Sequence, residues 1–186
     1  MKKVTVSLLI YMCLVALTLT GCFKESRLSE VEQFANSTIV KMGTDPIIVK
    51  AVKMENVKGK SIEKVKALDE KWKAAPGITD YMRVLMDSEC GRHLRKIKSK
   101  APSYAEIFVM DNQGANVAMS DKTSDYWQGD EDKFIKSYNA GKGGLHISEI
   151  KWDESSQANI VQVSVAVKEN DKAIGALTIG LDVDQM

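Results

Sequence analysis

Two hydrophobic periods divide the chain. In the first part, Leu28, Val31, Phe34, Ala35, Thr38 and Met42 recur at helical spacing, and Ser29-Glu30-Val31-Glu32 has the spacing of a capping box. Gly43 is the expected stop. Thr44-Asp45-Pro46 then puts a polar cap before a first-turn proline, and Ile47, Ile48, Ala51 and Val52 form the stripe of a second helix. Lys58-Gly59-Lys60 breaks the pattern. Ile62, Val65, Leu68 and Trp72 mark a third helix, and Pro76-Gly77 is a turn. Ile78, Tyr81, Met82, Leu85, Met86 and Cys90 mark a fourth, weakened at Gly91 and continued by Leu94 and Ile97. The basic stretch from Arg92 to Lys100 reads as a solvated helix end.

Pro102 closes the helical part, and a period of two replaces 3.6. Ala105 to Met110 is a β-prone apolar run, Asp111-Asn112-Gln113-Gly114 a turn, and Ala115 to Met119 the returning strand. Residues 120–142 are expected to form a loop with a helix from about Glu131 to Asn139, followed by a flexible turn at Gly141-Lys142-Gly143-Gly144. Strands over 145–152, 159–168 and 172–182 complete the chain. In the middle one, Val161, Val163, Val165 and Val167 alternate with Gln162, Ser164, Ala166 and Lys168. Five sequential strands with short turns predict a mainly antiparallel sheet. The fold class is therefore α+β, with a long N-terminal helix and further helices packed on a five-stranded sheet.

Ahead of this domain lies a different segment. Lys2 and Lys3 precede an apolar run from Val4 to Leu19, which is short for a spanning helix of about twenty residues. That is the plan of a secretory signal. Leu19-Thr20-Gly21-Cys22 resembles a lipobox, which implies removal of residues 1–21 and acylation of Cys22. Residues 22–28 are then the lipidated cysteine and its tether, and 29–186 one domain, helical over about 29–100 and sheet over about 104–183. No later segment is long and apolar enough to span a membrane.

Charge narrows the partners. The net charge is +1, and loss of Lys2 and Lys3 takes it to −1. A near-neutral, mixed surface excludes nucleic acid and polybasic lipid binding as the main function. With Cys13 in the leader and Cys22 acylated, Cys90 is left alone as a small buried side chain, and packing rather than cross-linking holds the fold. Catalytic signals are lacking. His93 and His146 are far apart and read as surface histidines, and no HExxH, paired-cysteine metal site, GxSxG or phosphate loop occurs. Asp130, Glu131 and Asp132 sit where acids favour a helix start. Neither an enzyme nor a cofactor or metal is expected.

Thr123-Ser124-Asp125-Tyr126-Trp127-Gln128-Gly129-Asp130 is the exceptional stretch. Two aromatics in a loop either plug the sheet face or line a pocket, and Trp152-Asp153-Glu154-Ser155-Ser156 is a second such place. Residues from about 104 to 183 resemble the extracellular PAS-like sensor domains called Cache or PDC domains. The resemblance rests on Glu106-Ile107-Phe108-Val109-Met110-Asp111 with Gly114, Ser120 to Glu131, Asp153 to Ser156, Gln162-Val163-Ser164 and Ile174-Gly175-Ala176. Asp45-Pro46-Ile47-Ile48 and Trp72 are similar to the helical segment preceding the sheet in such sensors.

The resemblance implies a pocket for a small ligand between sheet and loop, lined by Asp125, Tyr126 and Trp127 over Phe108, Met110 and Ser120. A short organic acid is expected ahead of an amino acid, because the family's amino-acid signature is not evident. Such domains usually sit between two membrane helices. Here the lipobox replaces the first and the chain stops at Met186, so a separate receptor or signalling protein is expected to receive the signal. The alternative is a ligand-independent module docking on a membrane receptor or envelope complex. Phe23 after the acylated cysteine resembles the sorting signal for an outer membrane, facing the periplasm.

Overall fold

A computed structural model of the chain describes residues 25–154 and 157–186. The expected signal peptide, Cys22, Phe23, Lys24, and Ser155 and Ser156 lie outside the described residues.

Helix α1 spans residues 25–42, with one wide π turn at Ala35–Ile39. Val31, Ala35 and Ile39, four apart, are fully buried. The expected capping box at Ser29 does not form, because the helix already runs from residue 25 and Ser29 is an exposed interior position. The helix does stop at Gly43, although not through a left-handed cap: its φ is −62°. A glycine is needed there because a Cβ would lie 2.2 Å from the Ala166 carbonyl oxygen. The turn presses onto the sheet, and the Lys168 N–H donates to the Gly43 carbonyl at 2.8 Å.

Helix α2 (Pro46–Val57) starts as its sequence indicates. The Asp45 carboxylate accepts from the Ile47 and Ile48 amides at 2.9 and 3.3 Å. His93 Nε2 meets the other Asp45 oxygen at 2.9 Å, so this histidine ties two helices. Ser61 caps α3 (Ile62–Lys73), whose buried positions are Val65, Asp69 and Trp72. The expected fourth helix is two helices, α4 (Asp80–Met86) and α5 (Glu89–Lys98). The break falls at Asp87-Ser88, before Gly91. Ser88 starts a new helix by accepting from the Gly91 amide at 2.9 Å, and a Cβ on Gly91 would lie 2.1 Å from the Met86 carbonyl oxygen.

The strands are β1 (Tyr104–Met110), β2 (Asn116–Met119), β3 (Leu145–Ile147), β4 (Lys151–Asp153), β5 (Ala158–Glu169) and β6 (Lys172–Asp182). Their order is β2-β1-β6-β5-β3, with β4 pairing farther along β5, and every pairing is antiparallel. The sheet is five strands wide, as expected, but the strand expected over 145–152 is interrupted. At Ser148 the side chain, rather than the next ladder carbonyl, accepts from the Gln162 amide at 2.9 Å. Asn170 and Asp171, both with positive φ (49° and 63°), turn β5 into β6, a conformation short polar residues tolerate. Helix α6 (Asp132–Tyr138) ends where Asn139 turns left-handed at φ 49°.

The two sheet faces differ. One carries Ile107, Val109, Val161, Val163, Val165, Val167, Leu177, Ile179 and Leu181 against α1, α2 and α5. Each such aliphatic contributes about 1.5–3 kcal/mol by burial. Cys90 lies in this layer, its thiol pushed up to about 12 by burial and then by Asp45 and Glu89. The other face is mixed. Across β1, β6 and β5 its rows read Met110-Ala176-Ala166, Phe108-Thr178-Ser164 and Glu106-Gly180-Gln162. The loop 120–131, α3, α4 and α6 cover it.

Candidate functional site

The loop over the mixed face is fastened at nearly every residue. Asp69 of α3 accepts with one oxygen from the Tyr126 and Trp127 amides, at 2.9 and 3.0 Å. Trp72 Nε1 donates to the Thr123 carbonyl at 2.8 Å. From β2, the Asn116 side chain donates to Thr123 Oγ1 at 2.8 Å and to the Asp125 carbonyl at 3.0 Å. At the β1–β2 turn, Gly114 has φ +83°, and a Cβ there would sit 2.4 Å from Gly129 Cα, so turn and loop touch backbone to backbone.

Tyr126 is wholly buried. Its ring lies 5.6 Å from both Trp72 and Tyr81. Its hydroxyl accepts from Tyr81 at 3.1 Å and from Lys60 Nζ at 3.2 Å. Burial first, and then the Tyr81 hydroxyl, push its phenol well above the ordinary range. Lys60 is itself bonded to Glu55. Burial would raise the Glu55 carboxyl, but the bonds from Lys58 and Lys60 outweigh it and hold the group below its usual value.

Of the six residues expected to line the pocket, Phe108, Met110 and Tyr126 come together in one buried cluster. Trp127 is half-buried on the outer side, with Nε1 donating to the Gln113 carbonyl at 2.8 Å and Lys66 over its ring at 4.8 Å. The Asp125 carboxylate faces Ser124 and Lys73, and its carbonyl holds the loop. Ser120 is used by the backbone: its Oγ accepts from the Ile107 amide at 2.8 Å and donates to Asp121 at 2.7 Å.

Beside this packed region a polar cavity of about 170 Å³ opens. Its walls are Glu106 and Phe108 of β1, Lys122, Thr123, Ser124 and Gln128 of the loop, Lys133 of α6, Asp153 of β4 and Gln162 of β5. Phe108 alone of the six expected residues reaches it. Gln162 Nε2 donates to Glu106 Oε1 at 2.9 Å. Lys133 Nζ donates to Gln128 Oε1 at 2.9 Å, pairs with Glu131 at 3.0 Å, and lies 5.5 Å from the Phe108 ring centre. Gly180 beneath is needed for Glu106, since a Cβ would lie 2.7 Å from the Glu106 Cγ. Burial raises the Glu106 carboxyl, Gln162 and Lys133 work against it, and Asp153 and Asp121 add to it. A wider groove lined by Glu131, Lys136, His146 and Lys151 shares Lys133 and Gln162 with the cavity. Burial and then Lys136 hold the His146 imidazole below its usual value.

Glu106, Gln162, Gln128 and Lys133 were missed as site residues. A signal did exist for two of them: Glu106 and Gln162 are polar insertions in apolar strands, on the face opposite the valine stripe.

Among the described residues no helix is long and apolar enough to cross a membrane. No family model matches the chain, and no curated protein matches it. Solved structures do. The chain is similar to the sensor domain of the histidine kinase DctB of V. cholerae, at 12% identity and a TM-score of 0.44, over 92% of this chain and 57% of that one. It is also similar to the ligand-binding domain of the Campylobacter jejuni chemoreceptor Tlp3 in complex with 4-methylisoleucine, at 13% identity and a TM-score of 0.40, over 81% of this chain and 62% of that one. An extracellular ligand-binding receptor from Desulfohalobium retbaense is matched at 13% identity and a TM-score of 0.38, over 75% of this chain and 25% of that one. In each case this chain spans less than two-thirds of the matched chain's length.

Proposed function

We propose that this protein binds a small polar metabolite outside the cytoplasm and passes its ligand state to a separate partner protein. One observation carries the reading. Loop, helix and three strands bring charged and hydrogen-bonding side chains of both signs around one small cavity, on a sheet face whose remainder is packed with apolar and aromatic groups. Concave sites with a few convergent polar groups are where small ligands bind. A carboxylate, as in the short organic acids the sequence suggests, would meet Lys122 on the loop wall.

A thermal-shift screen against organic acids, amino acids and amines tests this. A ligand at a hundredfold excess over its dissociation constant stabilises the fold by about 2.7 kcal/mol, or roughly 5–10 °C for a domain of this size. A hit lost on Gln128→Ala or Gln162→Ala supports the site, and a hit indifferent to both removes it.

The membrane half of the proposal rests on the sequence. Acyl chains on Cys22 tether the protein, and Phe23 directs it to an outer membrane, facing the periplasm. Incorporation of labelled fatty acid that disappears on Cys22→Ser is the expected result. A second reading, docking on a receptor or envelope complex without a ligand, is favoured by a groove of about 240 Å³ between α2 and α4–α5. Met54 and Val84, on its rim, are 59% and 65% exposed, more than apolar residues of that size need be. Partner crosslinking that survives loss of the cavity but not Met54→Asp favours that reading.

A further inference from the structure

Helix α1 has a direction relative to the sheet. At its C-terminal end the Gly43 carbonyl accepts from the Lys168 amide, near the end of β5. Farther back, the Phe34 ring lies 6.3 Å from that of Tyr104, the first residue of β1. Leu28 lines a recess with Ile147 and Ser148, where β3 ends. The helix therefore starts at the base of the sheet, where β1 and β5 begin and β6 stops. Helix α5 descends to the same base, since the Tyr104 amide donates to the Ala101 carbonyl at 3.1 Å, just beyond that helix. Its last turn holds Arg95, Lys96 and Lys98, and Lys100 follows. A shallow recess of about 570 Å³ opens there, with Arg95, Lys98 and Lys100 against one acid, Asp121, in its lining. Lys98 pairs with Asp121 at 2.6 Å, whereas Lys96 and Lys100 are exposed and form no ion pair among the described residues. On the opposite rim stands Trp152 of β4, 53% exposed. It pairs with Asn159, which shares a face with Val161, so it lies on the face that α1 covers. Glu149 and Glu154 sit on this β4 side, which leaves the positive excess on the α5 side.

We propose that this base is a membrane-contact surface, with the α5 end seated on the phosphates of anionic phospholipids and the Trp152 ring at headgroup depth. The inference rests on acylation of Cys22 and goes beyond it, from attachment to orientation. Cys22 is joined to α1, which opens at Glu25, by a very short stretch of chain. A chain extends at most about 3.6 Å per residue, so the start of α1 lies within about 11 Å of the headgroups. That is close to the Debye length, about 8 Å at physiological salt. A net charge near zero gives the free protein no general attraction to lipid, but a tethered domain meets the surface at high effective concentration. A local excess of unpaired lysines is then enough to orient it. Each lysine near an anionic surface favours contact by about fivefold, and Lys96 and Lys100 together by about thirtyfold. Trp152 adds to this, because an amphipathic indole settles at the headgroup level.

The test uses the acylated protein, purified with its acyl chains and reconstituted into vesicles of phosphatidylethanolamine and phosphatidylglycerol at about three to one, with bromine near the headgroup end of the lipid tails. Flotation reports the anchor, and quenching of tryptophan emission reports the orientation. Trp72 is buried, and Trp127 is held at the opposite end of the sheet by Gln113, in the turn after β1, which leaves Trp152 as the reporter. The expected result is quenching of part of the emission, abolished by Trp152→Phe. Lys96→Gln combined with Lys100→Gln should shift the seated fraction's equilibrium by about thirtyfold. Phosphatidylcholine vesicles, or salt at about 1 M, where the screening length falls to about 3 Å, should release the base without loss of flotation. These are surface positions, so the melting temperature should not move. If the protein floats but Trp152 is not quenched, or if quenching ignores both the lysine changes and the lipid charge, the anchor stands and this inference fails. If the protein does not float, the anchor reading falls and takes the inference with it.

Discussion

Asp69→Ala separates two views of the loop, one in which aromatic packing alone places it and one in which α3 clamps it. The Asp69 residue is 3% exposed, and its Oδ1 accepts from two successive amides, at Tyr126 and Trp127. Its Oδ2 pairs with Lys73 at 2.6 Å, but that lysine side chain is 47% exposed, so the pair itself is worth little. The cost of the alanine therefore comes from stranded donors. Each buried amide left without an acceptor costs about 1–3 kcal/mol. The Trp127 amide is only part-buried, which keeps the sum near the lower middle, about 3 kcal/mol. At roughly 2–4 °C per kcal/mol, the melting temperature falls by about 6–12 °C. Asp69→Asn retains an acceptor oxygen and loses only charge assistance, so it should cost about 1 kcal/mol. Urea unfolding gives both differences, and hydrogen exchange at the Tyr126 and Trp127 amides locates them. An alanine variant within about 0.5 kcal/mol of wild type, the range of an ordinary surface change, would refute the clamp. So would an asparagine variant as damaged as the alanine one.

Three further outcomes follow from geometry already described. Gly43→Ala should destabilise by about 1–3 kcal/mol in urea unfolding, because the added Cβ meets the backbone oxygen of Ala166, which has no rotamer to escape into. Glu55→Gln should cost about 2–3 kcal/mol at neutral pH by leaving Lys60 unpaired. The Glu55 carboxyl is held low, against its own burial, by Lys58 and Lys60, so its contribution is present above the ordinary carboxylate range and is lost as pH falls through the lowered value. The gap between variant and wild type should therefore close in acid. Glu106→Gln should behave in the reverse sense. Burial raises this carboxyl, so wild type loses stability as pH rises through the raised value, and the variant should be the more stable at neutral pH and equal near pH 4, about the unperturbed carboxylate value. Melting curves across pH read both signs in one experiment.

Periodicity found the elements because one stripe of each is buried. Val31, Ala35 and Ile39 of α1 and the four valines of β5 are spaced by the geometry that buries them. Local chemistry decided the boundaries, and some of it was ambiguous in one dimension. Ser29 and Ser88 both have the composition of a cap. Only Ser88 is one, because a backbone break sits before it while the helix around Ser29 is continuous. The loop with Tyr126 and Trp127 stood out by composition: Tyr126 plugs the helical side, as one of the two open readings has it, while its neighbours Thr123, Ser124 and Gln128 line a cavity. The charged wall was hidden for another reason. Glu106, Asp153 and Gln162 lie on three strands, and Lys133 on a helix between them. Only the register Glu106-Gly180-Gln162 across β1, β6 and β5 brings the first and last together.

That register also places the cavity next to a residue of the loop that two helices hold. The Tyr126 peptide is held by Asp69 of α3, and its hydroxyl by Tyr81 of α4 and Lys60 just before α3. Three residues earlier, the Thr123 carbonyl is held by Trp72, again of α3, while its side chain stands on the cavity wall. A molecule bound against Thr123, Ser124 or Gln128 thus acts on a segment that cannot shift without lengthening bonds to α3 and α4. On the proposed reading, the outer face of those helices is where ligand state becomes visible to a partner. Loosening the clamp should then separate two effects that a ligand-contact variant joins. Asp69→Asn should leave the cavity's side chains in place and its binding within a few-fold. It should also weaken whatever change in partner association the ligand produces. If binding and the partner response instead fall together by the same factor, Asp69 acts only by holding the cavity in shape, and α3 is no route out of it.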